Sequence, residues 1–123
     1  MTQTPTIEIL LAKWIEAFNH HDLDKHMELY TEHALLFGSV DILQNGRDAV
    51  RAYFKAVGPD ARVRSYPMPT VRHLSENFAV TAGHVTFVDG NVLSPFRMTW
   101  ALVKQEGNWR IAQHHGSPCR DNR

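Results

Sequence analysis

Residues 97–117, RMTWALVKQEGNWRIAQHHGS, decide how this chain is read. Two β-strands flank a turn at 105–108, QEGN, where glycine and asparagine supply turn chemistry. From Pro95 to Lys104 the pattern alternates. Phe96, Met98, Trp100 and Leu102 fall on one face, and Arg97, Thr99, Ala101 and Val103 on the other. The second strand carries adjacent histidines, His114 and His115, which must point to opposite faces. Strict alternation groups His114 with Arg110, Ala112 and Gly116, and His115 with Trp109, Ile111 and Ser117. A slip of one residue would exchange the two histidines.

Working toward the N-terminus, residues 77–91, NFAVTAGHVTFVDGN, read as a strand ending in the hairpin turn Asp89-Gly90. Residues 61–74 read as a strand interrupted by Pro67 and Pro69, which suits a sheet edge. Before them the period is helical. Ile7, Leu10, Leu11, Trp14, Ile15 and Phe18 mark one buried helix face, with Thr4-Pro5 as its start signal. Asp22 caps a shorter helix in which Leu23, His26, Met27 and Tyr30 share a face. A third helix begins near Asn45-Gly46, buries Ala49, Val50, Tyr53, Phe54 and Val57, and stops at Gly58-Pro59. Residues 34–44, ALLFGSVDILQ, form a short hairpin between the second and third helices. Helices followed by long antiparallel strands predict an α+β domain.

The 123 residues fit one domain, with 13 basic and 13 acidic side chains in balance. No basic excess points to nucleic acid or to an anionic membrane, and no apolar run approaches the roughly 18 residues of a membrane span. The single cysteine, Cys119, forms no internal disulfide, and no N-terminal signal pattern precedes the first helix, so a cytoplasmic location is expected. Val85, Phe87, Ala101 and Val103 leave the second sheet face partly apolar, and a homodimer through that face is the expectation. Eight histidines are the one compositional oddity.

Three stretches carry a family resemblance: 20–37, HHDLDKHMELYTEHALLF; 45–54, NGRDAVRAYF; and 97–117, with Trp109, Ile111, His115 and Ser117 at its end. Together they resemble the nuclear transport factor 2-like superfamily, and within it the SnoaL-like, SgcJ/EcaC and calcium/calmodulin-dependent kinase association-domain branch. The resemblance covers residues 6–118 and leaves 119–123 as a tail. It implies a cone-shaped, curved antiparallel sheet with three helices from the N-terminal half over its concave face and a pocket between them.

The same resemblance locates the chemistry. The ketosteroid isomerases of this superfamily use a carboxylate base and a tyrosine, which fall here at Gly38 and Trp14. Neither can do that work, and Asp41 is the nearest carboxylate. The kinase association domains line their pocket with a tyrosine and arginines, matched here by His26, His84, Trp100 and Gly116. The expected pocket has Trp14, Tyr30, Phe37, Tyr53, Phe54 and Trp100 as walls and His26, His84 and His114 as polar or catalytic groups. Arg97 joins the pocket only if a bulge turns it inward. The implied function is small-molecule binding, with acid–base isomerisation, cyclisation or dehydration moved by a histidine. The alternative is a non-catalytic oligomerisation or ligand-sensing domain. No HExxH or CxxC pattern supports a metal, and no cofactor is expected. Ser117 has no nucleophile elbow, and Cys119 lies in the tail. His20, His21 and Asp22 read as a solvated turn, and His33 and His73 as element ends.

Overall fold

The structure, a computed structural model, describes residues 6–120, so the start signal at Thr4-Pro5 lies outside it. Helix α1, Ile7–Asn19, is capped by Thr6, whose hydroxyl accepts from the Ile9 amide at 3.2 Å. Its inward stripe is Leu10, Leu11, Trp14, Ala17 and Phe18. Helix α2, Leu23–Met27, is capped by Asp22 through the Lys25 amide and buries His26 and Met27. Strand β1, Tyr30–Phe37, takes in Tyr30 and turns back to pair with β2, Gln44–Asn45. Helix α3, Arg47–Lys55, follows Gly46 and buries Val50 and Phe54.

The rest of the chain is β. Strands β3, Ala61–Ser65, and β4, Thr70–Ser75, pair one after the other along the same side of β5, Phe78–Asp89. Pro67 and Pro69 fall in the break between β3 and β4, where no ladder amide is needed. Strands β6, Val92–Gln105, and β7, Asn108–Pro118, complete the sheet. Gly90 takes φ +60° in the first hairpin, and Glu106 and Gly107 take φ +52° and +80° in the second. Those angles let two-residue turns match the strand twist.

The strand order is β2-β1-β7-β6-β5-β3, with β4 also on β5. Two features correct the expected cone-shaped antiparallel sheet. The sheet is mixed, because β1 runs parallel to β7. It is also open, with β2 at one end and β3 at the other left unpaired to each other, and it neither curls strongly nor closes into a cone. The parallel pair joins residues about eighty positions apart in the chain (Leu36 opposite His114), a pairing that strand periodicity cannot reveal. The α+β class and the three helices stand.

A bulge in β7 positions the candidate site. Trp100 pairs with His114 and Ala101 with Gln113, but Leu102 pairs with Ile111, so Ala112 is the extra residue. The bulge reverses the alternation. Trp109 and Ile111 before it and His114 and Gly116 after it all lie buried on the helix-covered inner face. The sequence reading set Trp109 and Ile111 opposite His114, and the inserted residue is why that grouping fails.

The β5–β6 register corrects a second grouping. Residues directly opposite in an antiparallel pair share a face. Val85 pairs with Phe96, Thr81 with Trp100, and Ala79 with Leu102. Val85 and Phe87 therefore point inward, toward the core of Trp14, Phe18, Tyr30, Trp100 and Leu102, and are not part of the outer face.

Candidate ligand pocket

At the centre of the core three side chains form a hydrogen-bonded relay. Trp14 Nε1 donates to the Tyr30 hydroxyl at 2.9 Å, and that hydroxyl lies 2.9 Å from His114 Nδ1. The hydroxyl accepts from the indole, and Nδ1 is the one acceptor that its own proton can reach among the described residues, so the arrangement that satisfies every partner has Tyr30 donating to Nδ1. His114 is thereby fixed as the neutral tautomer with its proton on Nε2. Burial drives the His114 pKa down to about 3, with smaller contributions from His26 and His115. Burial also pushes the Tyr30 hydroxyl up, which keeps it a donor.

His26 lies beside this relay. Its ring centroid is 4.4 Å from that of Phe54, 5.2 Å from Trp14 and 5.7 Å from Tyr30. Its Nε2 is buried without a hydrogen-bond partner among the described residues. Burial, and secondarily His21, lowers its pKa to about 4. Both inner histidines are therefore neutral at physiological pH.

His114 Nε2 faces the side of Gly116, where a Cβ would sit 3.5 Å away. There a cavity of about 330 Å³ opens between α1, α3 and the inner face of β5, β6 and β7. Trp14, Tyr53, Phe54 and His114 line it, with Phe18, Phe87, Phe96 and Met98 and the polar Ser39, Ser94 and Asp89. A larger open cleft of about 1510 Å³ lies on the far side of α1, among mixed charges such as Lys13, Glu16, Lys25 and Glu28. It carries none of the candidate site residues, and its charges of both signs converge on no one group.

The structure divides the expected site residues into three groups. Trp14, Tyr53, Phe54 and His114 line the cavity. Tyr30, His26 and Trp100 are buried behind it and shape it from the core. His84, Arg97 and Phe37 lie on the outer face, a correction with a simple cause. His84 pairs with Arg97 across β5 and β6, on the side opposite Val85 and Met98. Arg97 Nη2 donates to Ser117 Oγ at 3.2 Å, and Phe37 packs on His115 at 5.7 Å. Asp41 is exposed in the bend after β1. Among the described residues no cluster of three or more His, Cys, Asp or Glu could hold a metal ion.

Phe18, Val57, Phe87, Asp89 and Ser94 are among the lining residues that the sequence reading did not bring to the pocket. The turn Asp89-Gly90 held the signal, because closing it pairs Asp89 with Val92 and so fixes which β5 residues face inward. At Gly38 the structure explains an absence. A Cβ there would collide with the Tyr53 hydroxyl, which also accepts from the Ser39 amide at 2.8 Å. The position where the isomerase carboxylate would fall has no room for a side chain while the Tyr53 ring stays in place.

Three helices packed on one face of a mixed sheet, with a pocket between them, define the nuclear transport factor 2-like class. Residues 7–121 match the family model described as SnoaL-like domain, and the chain belongs to that family. No curated protein matches. Among solved structures it is similar to a candidate calcium/calmodulin-dependent protein kinase II association domain from Xanthomonas campestris, at 24% identity and TM-score 0.85, over 94% of this chain and 87% of that one. It is also similar to a ketosteroid isomerase-like protein from Erwinia carotovora atroseptica, at 21% identity and TM-score 0.77, over 94% and 95% of the two chains. A third, an NTF-2 like protein of unknown function from Shewanella oneidensis, shares 25% identity at TM-score 0.75, over 90% and 95%. No helix among the described residues is long and apolar enough to cross a membrane.

Proposed function

We propose that this chain is a non-catalytic ligand-sensing domain that takes a small, largely apolar molecule into the cavity beside His114. The relay from Trp14 through Tyr30 to His114 carries the reading, because it leaves a single fixed donor, Nε2–H, aimed at an aromatic-walled space. A general base works best with a pKa near the operating pH. Held at about 3, His114 is a poor proton acceptor but a well-oriented hydrogen-bond donor. Gly38, where the isomerase base would fall, has no side chain to offer, and Asp41, the nearest carboxylate, is exposed in the bend after β1. Acid–base isomerisation, cyclisation or dehydration is therefore the weaker reading.

The test is ligand binding by the chain and by Gly116→Leu. The leucine side chain would extend past His114 Nε2 into the cavity, so binding should fall at least about tenfold while the fold persists. Unchanged binding would remove this cavity as the site. Turnover that disappears in His114→Gln would instead favour the acid–base reading.

A second copy of the chain on the outer face is proposed with it. Leu35, Phe37 and Phe78 are 37%, 39% and 37% exposed there, beside half-buried Val80, Ala101 and Val103. That apolar character supports an interface between copies. A solution mass of a monomer at micromolar concentration would reject it.

A further inference from the structure

The charge in the cavity is one-sided, and we propose that the ligand is an aromatic or alicyclic amine, bound with its cationic nitrogen at the Asp89 rim and an oxygen acceptor at His114. This inference rests on the reading of the cavity as a ligand site. Six aromatic rings face the space: Trp14, Phe18, Tyr53, Phe54, Phe87 and Phe96. Aromatic faces carry negative potential and attract an ammonium group, most strongly where water is excluded. Of all the lining residues Asp89 alone carries a formal charge, and no lysine or arginine lines the wall. Its carboxylate lies at the mouth, where a Cβ on Gly58 would be 3.4 Å from Oδ2. An anionic ligand would meet that carboxylate and an aromatic wall with no counter-charge.

The deep end has the opposite polarity. Tyr30 occupies Nδ1 of His114, so Nε2–H is the group the histidine offers to the cavity, and it asks for an acceptor. The wall runs along β6 from Met98 to Ser94 and along β5 from Phe87 to Asp89. Met98 to Ser94 alone covers about 13 Å of strand. A molecule with an oxygen at one end and an amine at the other matches the polarity of the two ends.

Three probes of nearly one shape separate the possibilities: tyramine, 4-ethylphenol and 4-hydroxyphenylacetate, titrated calorimetrically into the full chain at low salt. Tyramine should bind more tightly than the neutral phenol by about threefold to thirtyfold, and the acid most weakly. Asp89→Asn keeps a good residue before Gly90 in the hairpin and should fold. It should weaken tyramine by about threefold to tenfold and leave 4-ethylphenol unchanged. Equal or tighter binding of the phenol or the acid would overturn the inference, as would an Asp89→Asn variant that shifts all three probes alike. If 4-ethylphenol binds in a manner sensitive to Gly116→Leu without any preference for the amine, the pocket reading survives and this inference fails. If none of the three binds, both fail together.

Discussion

Tyr30 and His114 lie nearly parallel, with ring planes 10° apart and the tyrosine hydroxyl 2.9 Å from Nδ1. They come from opposite ends of the chain, and the parallel pairing of β1 with β7 brings them together. Replacing Tyr30 with Phe would strand two buried polar groups at once, Trp14 Nε1–H and His114 Nδ1. A loss of about 1–3 kcal/mol in unfolding free energy is expected by urea titration. A variant as stable as the parent would show that the relay carries no net stability.

The neutral histidines set an acid limit on the fold. Both have folded pKa values below the ordinary 6.5, His26 at about 4 and His114 at about 3. Above pH 6.5 neither state of the chain binds protons at these rings. As pH falls below 6.5 the unfolded chain takes up two protons that the folded chain refuses, and stability drops. Each histidine contributes about 1.4 kcal/mol per pH unit in that window. The urea midpoint should fall between pH 6.5 and 5, and His26→Leu should roughly halve the slope. A pH-independent midpoint over that range would show that these rings are protonated in place.

Deleting Ala112 tests the bulge. Without the extra residue, either His114 and Gly116 or Trp109 and Ile111 must turn to the outer face. Ejecting either pair uncovers large buried side chains, so a loss of at least about 3 kcal/mol, or failure to fold, is expected. Near-parent stability in thermal and urea unfolding would mean that β7 tolerates both registers.

On the outer face, Phe37→Asp should reduce the solution mass from dimer to monomer without changing the far-UV spectrum. Phe37 is 39% exposed and packs only on His115 among the aromatic rings described, so the folded subunit should tolerate the change. An unaltered mass from a dimeric parent would move the interface elsewhere.

Much of the element order was legible because amphipathic period and turn chemistry are local. Asp22 and the turn at Gly90 act within a few residues of themselves, and the stripe from Leu10 to Phe18 is visible without any partner, although the cap of that first helix is Thr6 and not the residue that the Thr4-Pro5 signal marks. Face assignment was less legible, since it depends on pairing. His84 looks like a pocket residue among Phe78, Val80 and Ala82, until the two-residue turn at Gly90 sets it opposite Arg97. The one-residue bulge at Ala112 leaves no compositional mark, yet it places Trp109 and His114 on a common side. The sheet's open, mixed form was hidden for the same reason, because β1 meets β7 across almost the whole chain.

The contact between Gly38 and Tyr53 has a consequence for how activity could be gained on this scaffold. Installing a carboxylate at position 38 alone drives it into the tyrosine ring. Trimming Tyr53 alone abandons the hydroxyl that holds the Ser39 amide. A carboxylate at position 38 needs the Tyr53 ring to move or to be trimmed, so the route to a proton-abstracting enzyme passes through both positions together. A library that randomises one of these positions at a time would miss it, whereas a paired library at 38 and 53 would sample it directly.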